Sequence, residues 1–176
     1  AWPLVLVQAM CMAFLFTGFH EFAHRTVFTK WWLNDVLGHL FGLIIFRPLK
    51  YYTFYHYNHH KFTGDPSMDP ELQESLIDLR LDNVVSYVCY LSGIPFWMDR
   101  ISTLIRHSLL GWILPREHLF LTDETSTIVL REARLYVGLY MSVAVACMST
   151  DGESVWMGLS LSELVIRVWL LPSLVA

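Results

Sequence analysis

The run His56-Tyr57-Asn58-His59-His60 places three imidazoles within five positions, and His20-Glu21-Phe22-Ala23-His24 places two more upstream. Residues three or four apart share a helix face. His20 and His24 are so spaced, as are His56 and His59, and His56 and His60. His59 and His60 splay apart by about 100°, so the second cluster can reach two metal ions. Paired neutral imidazoles chelate metal, and a nitrogen set without thiolate suits iron, copper or zinc better than magnesium or calcium. Glu21 and Asn58 lie inside the clusters, and Asp65 and Asp69 follow in Gly64-Asp65-Pro66 and Asp69-Pro70-Glu71. These polar groups either orient ligand imidazoles by hydrogen bonds or, for the two aspartates, end the helix in a turn.

The first cluster also reads literally as H-E-x-x-H, the pattern of zinc proteases. In that reading His20 and His24 bind zinc and Glu21 is the general base of a membrane-embedded metalloprotease. A third reading is a non-catalytic membrane protein whose histidines bind or sense metal.

The elements that must carry these residues are apolar. The chain has 176 residues, 55% hydrophobic and 15% aromatic, with mean hydropathy +0.43 and 16% charged residues. Soluble domains carry about 25% charged residues, so the composition points to a membrane protein. The net charge of -4 argues against a nucleic-acid partner. Cys11, Cys89 and Cys147 imply no disulfide framework and are expected as buried thiols. The first stretch lacks a basic leader and is not read as a signal peptide. With no initial Met and an apolar end, the sequence reads as a fragment of a single domain over residues 1–176.

The expected fold is all-α: an integral membrane helical bundle with interfacial helices and a histidine-rich cytoplasmic face. Spans are expected over about 2–19, 135–148 and 155–175, since some 17–25 apolar residues cross a bilayer. Residues 33–46 are too few to cross twice, so if both clusters share one side this segment lies in the interface or dips in and returns. His39 within it is expected to pack. Residues 72–82 read as amphipathic and residues 84–97 as apolar but short. Residues 100–112 read as a helix on the membrane surface, with His107 as a surface residue and His118 in a loop. Thr122 or Asp123 is expected to cap the next helix. Glu163 and Arg167, at i, i+4 within the last span, are expected as an ion pair facing the bundle. Most Lys and Arg lie between the first span and the last hairpin, so the positive-inside tendency puts both histidine clusters on the cytoplasmic side.

The string from Gly18 to Arg25, then Trp32-Leu33-Asn34-Asp35, then the string from His56 to Pro66 resembles the membrane fatty acid desaturase family. The H-x-x-x-H and H-x-x-H-H boxes match in order and spacing. Leu91-Ser92-Gly93-Ile94-Pro95-Phe96-Trp97 and Arg131-Glu132-Ala133-Arg134 are similar to bacterial members. The resemblance implies two irons held by histidines, with His20, His24, His56, His59 and His60 among the ligands. It implies O2 as co-substrate and electrons from a separate carrier of the ferredoxin, rubredoxin or cytochrome b5 type. It implies a membrane lipid or acyl thioester as substrate, desaturated or, in relatives with the same boxes, hydroxylated. The family's third box, another H-x-x-H-H, is missing here. Truncation past Ala176 is the expected reason, and the fragment alone is expected to be inactive.

Overall fold

A computed structural model describes residues 2–73, 83–150 and 153–176. Most of the amphipathic stretch expected over 72–82, and residues 151–152 between the last two expected spans, lie outside the described residues. The helices are α1 (Trp2–His24), α2 (Trp31–Ile44), α3 (Leu49–Phe62), α4 (Val84–Leu91), α5 (Ile94–Ile105), α6 (Asp123–Ser149), α7 (Leu161–Leu164) and α8 (Leu171–Val175). No strand forms among the described residues; Trp156 and Leu159 make an isolated bridge. The all-helical expectation holds. The chain divides into two compact units, residues 1–49 with 135–176, and residues 50–134.

In the first unit, α1 runs through a sequence apolar on every side. Among the described residues it is the one helix long and apolar enough to cross a bilayer, over Pro3–His24 with mean hydropathy 1.6. Ala9, Phe19, Phe22 and Ala23 are buried, whereas Leu4, Val7, Met10 and Phe14 stand exposed. Helix α2 returns antiparallel along α1, and glycine makes the approach possible. A Cβ on Gly18 would lie 2.9 Å from the Phe41 ring, and one on Gly42 would lie 2.5 Å from the Arg47 carbonyl oxygen. Helix α2 stops after 14 residues, about 21 Å at about 1.5 Å per residue. A helix end leaves four carbonyls without helical partners, and here each finds a donor inside the protein. Ile45 N donates to Phe41 O at 3.0 Å and Arg47 N to Gly42 O at 2.8 Å. The Tyr140 hydroxyl donates to Leu43 O at 2.9 Å, and Trp169 Nε1 to Ile44 O at 2.8 Å. Phe46, at φ 57°, stacks on Trp169 and closes the turn.

The last helical run covers 161–175 rather than 155–175. Ser160 caps it, accepting from Glu163 N, while Glu163 reaches back to Ser160 N. An N-cap residue is itself extended, as Ser160 is at φ -72° and ψ 164°, so the run starts after it. A wide π-helical turn over Val165–Leu170 loosens the ladder, and Gln8 Nε2 donates to Val168 O. Gln8, the polar break in α1, thus serves that irregular backbone. The Arg167–Glu163 pair forms at 3.1 Å, but both side chains are exposed rather than turned into a bundle. Cys11 and Cys89 are also exposed, against the expectation of buried thiols. Cys11 shares the outward apolar surface of α1.

The second unit is organised by a buried ion cluster. Arg106, expected on a membrane surface, is instead buried, and so is His107, at 2% exposure. Both turn inward because Glu117 lies between them, itself 1% exposed. Arg106 donates to its two oxygens at 2.7 and 2.9 Å, and His107 Nε2 lies 3.2 Å away. Leu114 N donates to Glu117 Oε2 at 2.7 Å, and the Tyr51 hydroxyl to Oε1 at 3.1 Å. His118 is exposed on a short 3-10 turn, Pro115–Leu119. Burial pushes the Glu117 carboxyl up, but the bonds from His107 and Arg106 outweigh it and pull its pKa down to about 2.

Three predictions test these packings. Tyr140→Phe removes the shorter bond to Leu43 O, leaving the one from Phe46 N at 3.5 Å, and should destabilise the protein by about 0.5–1.5 kcal/mol in detergent thermal unfolding. Glu117→Ala strands buried Arg106 and should cost roughly 3–5 kcal/mol by the same measurement. In the unaltered protein, a carboxyl depressed to about 2 contributes stability that is complete above about pH 4.5 and drains away as pH falls toward 2. Denaturant midpoints across that range should drop, and should drop less in Glu117→Gln.

Candidate metal centre

The last turn of α1 carries His20 and His24 on one face, as the i, i+4 spacing requires, with ring centroids 4.6 Å apart. Glu21 Oε1 lies 3.0 Å from His20 Nδ1. A carboxylate only accepts, so Nδ1 carries the proton and Nε2 presents its lone pair. The Thr26 hydroxyl donates to the other Glu21 oxygen at 2.8 Å and shares its proton with the Glu21 carbonyl at 3.1 Å. The chain leaving His24 is pinned. Arg25, at φ 58°, forms a two-pronged bond with Asp35 at 3.1 and 3.2 Å. Fully buried Asn34 accepts from Phe28 N at 3.1 Å and donates to Phe28 O at 2.7 Å. His39 is half-buried with Nδ1 3.3 Å from the Tyr136 hydroxyl, a packed histidine as expected.

In the second unit α3 presents the other three histidines. His56 is buried and His60 exposed, and their Nε2 atoms face each other at 3.0 Å. Two nitrogens about 2.1 Å from one ion and at right angles would be about as far apart, so this pair suits a shared cation. His59 turns elsewhere, to Asp69 Oδ1 at 2.9 Å from Nδ1, with Glu71 Oε2 3.5 Å from Nε2. The splay expected of adjacent histidines is therefore present, and the pair that converges is His56 with His60.

The two aspartates divide their roles. Asp69, 2% exposed, accepts from His59, Gly64 N and Glu71 N. Burial raises its pKa, and these three donors outweigh burial and lower it. It ties the imidazole to the turn that ends α3. Asp65 accepts from Ser67 N, its hydroxyl and Met68 N, which makes it a turn residue. Asn58 donates to Met68 O at 3.0 Å and anchors the same turn.

Sequence reasoning missed the acidic groups that hold α3. Glu132 accepts from Lys50 N at 2.8 Å and Tyr51 N at 3.2 Å, and Glu117 takes the Tyr51 hydroxyl. One signal was available: the first turn of α3 has no acidic residue, and Pro48 before it has no side-chain acceptor.

The family model described as fatty acid desaturase matches residues 1–176. An sn-1 acyl-lipid omega-3 desaturase (ferredoxin) of Nostoc sp. (strain 36) is 30% identical over 135 residues, covering 71% of this chain and 37% of that relative. The chain thus spans little more than a third of the curated relative it matches. No solved structure matches it.

Removing the Asp69 carboxylate should free His59, whereas removing that of Asp65 should only loosen a turn. Asp69→Ala should weaken Fe(II) or Co(II) binding by about 10–100-fold and Asp65→Ala by much less, both read by metal titration of the purified protein.

Proposed function

We propose a function from one premise: this chain belongs to the fatty acid desaturase family. It serves in a membrane oxidoreductase that uses O2 to introduce a double bond into a fatty acyl chain. The observation that carries this reading is the family match over all 176 residues, which includes both histidine boxes in their expected order. The relative from Nostoc is an acyl-lipid desaturase named for ferredoxin. By analogy the substrate here is an acyl lipid and the electron donor a small one-electron carrier protein.

In this proposal His20, His24, His56, His59 and His60 are ligands of a di-iron centre completed by further histidines of the whole protein. The donor set fits: all five are imidazoles, His20 and His59 have Nδ1 against carboxylates, and His56 and His60 turn their Nε2 atoms together. Iron with O2 supplies the oxidation of an unactivated C–H bond, which side-chain acid–base chemistry cannot reach. The protein's own part is to hold the rings. Glu21 and Asp69 fix the tautomers of His20 and His59, and the pinned loop from Arg25 to Lys30 fixes where α1 ends.

The domain is proposed as one membrane-embedded unit of function over residues 1–176, with the histidines on the cytoplasmic side. Helix α1 crosses the bilayer, its exposed apolar side chains covered by lipid. Residues 135–148 and the shorter run 161–175 form the returning hairpin. Helix α2 enters and turns back, supported by its four protein-satisfied terminal carbonyls, because irregular backbone at membrane depth must be satisfied by protein.

The test is metal content and lipid profile of the full-length protein purified in detergent. About two irons per chain, lost in His56→Ala and in His60→Ala, with a new double bond in host lipids, is the expected result. A hydroxylated product instead would assign the hydroxylase chemistry of the same family. About one zinc, no iron, and activity that survives His56→Ala but not Glu21→Gln would replace the proposal with the protease reading.

A further inference from the structure

Helix α3 carries three of the proposed ligands yet supplies nothing to hold its own N-terminus. The first four N–H groups of a helix need outside acceptors, and an N-cap side chain from Ser, Thr, Asp or Asn is the usual local source. Here the preceding residue is Pro48, and the first turn contains no acid. The acceptor comes from 82 residues away. Glu132 Oε1 accepts from Lys50 N at 2.8 Å, and Oε2 accepts from Lys50 N at 3.0 Å and from Tyr51 N at 3.2 Å. These are the second and third residues of the helix, the same N–H groups a local cap would take.

Glu132 is itself fixed. It is 6% exposed, and its neighbours on α6, Val129 and Ala133, are fully buried. Its negative charge also complements the positive end of the helix dipole, while His59, His60 and Lys61 occupy the opposite end. We propose that Glu132 is a positioning residue for the metal centre: it caps α3 from α6 and so sets the axial place of His56, His59 and His60. This rests on the reading that those histidines bind metal. Fraying of the first turn would let α3 shift and rotate, and His56 lies only five residues beyond Tyr51.

The test uses the full-length protein in detergent, stripped of metal and titrated with Co(II), whose visible absorption reports histidine coordination. Glu132→Ala should weaken Co(II) binding roughly tenfold, the low end of what is lost when a group orienting a metal ligand is removed. Glu132→Gln, which keeps an acceptor oxygen, should lose less. The decisive variant is Pro48→Asp in the Glu132→Ala background, which returns a carboxylate to the same N–H groups from the N-cap position. It should restore the affinity and the spectrum, which a packing role for Glu132 would not allow. Hydrogen exchange of the Lys50 and Tyr51 amides in metal-free protein should speed up about tenfold in Glu132→Ala and slow again in the double variant. Unchanged Co(II) binding in Glu132→Ala, or loss without rescue, overturns the proposal. If Glu132→Ala fails to fold, folding of the double variant supports it and failure of both overturns it. Unaltered protein that binds no Co(II) sinks the metal reading, and the exchange rates then decide the cap alone.

Discussion

Every helix end in this protein that lies away from water must find its hydrogen-bond partners within the chain, and much of the structure follows from that requirement. An orphaned backbone group in an apolar setting costs as much as several good apolar contacts gain. Helix α2 meets it at its C-terminus with two backbone amides, Tyr140 and Trp169. Helix α3 meets it at its N-terminus with Glu132. The wide turn over Val165–Leu170 meets it with Gln8. These polar side chains look out of place in their apolar sequence surroundings. Each is explained by the backbone group it serves.

The same requirement separates what was legible in the sequence from what was not. Spacing of three and four residues dictates helix faces, so the pairing of His20 with His24 and of His56 with His60 could be read directly. The length of α1 and the short reach of 33–46 were equally plain, because both follow from counting apolar residues. Arg106 and His107 were misread. Their alternation with apolar residues looks amphipathic, and nothing local reveals Glu117, whose carboxylate draws both inward. Glu132 was hidden for a related reason: the bare first turn of α3 signals that a cap is needed, but nothing local points to a residue 82 positions away. The exposed Cys11 and Cys89 mark another limit. A thiol is usually buried, but residue type does not say whether the helix face that carries it packs on protein.

Asp65 and Asp69 show how four positions separate two roles. Both follow the histidine box and both sit in the turn that ends α3. Asp65 meets the amides of Ser67 and Met68 with its Oδ1, which is spent on the turn. Asp69 lies one loop further, where the chain has doubled back along α3 far enough to meet His59. Its remaining acceptors take Gly64 N and Glu71 N. One carboxylate thereby closes the turn and orients a ring, and a change in loop length would uncouple the two tasks.

Both histidine clusters, each within its own unit, repeat one chemical device. His20 sets Nδ1 against Glu21 at 3.0 Å, and His59 sets Nδ1 against Asp69 at 2.9 Å. A carboxylate at Nδ1 fixes the tautomer, orients the ring and strengthens the far nitrogen as a donor. This bears on what Glu21 can do. A general base in zinc hydrolysis must keep an oxygen available to a metal-bound water. Here His20 engages one oxygen and Thr26 the other. The H-E-x-x-H spelling is compatible with two chemistries, and the bonds from His20 and Thr26 orient the Glu21 carboxylate in either. The residue type is shared with hydrolases; the acceptor role it fills is the one Asp69 fills in the other cluster.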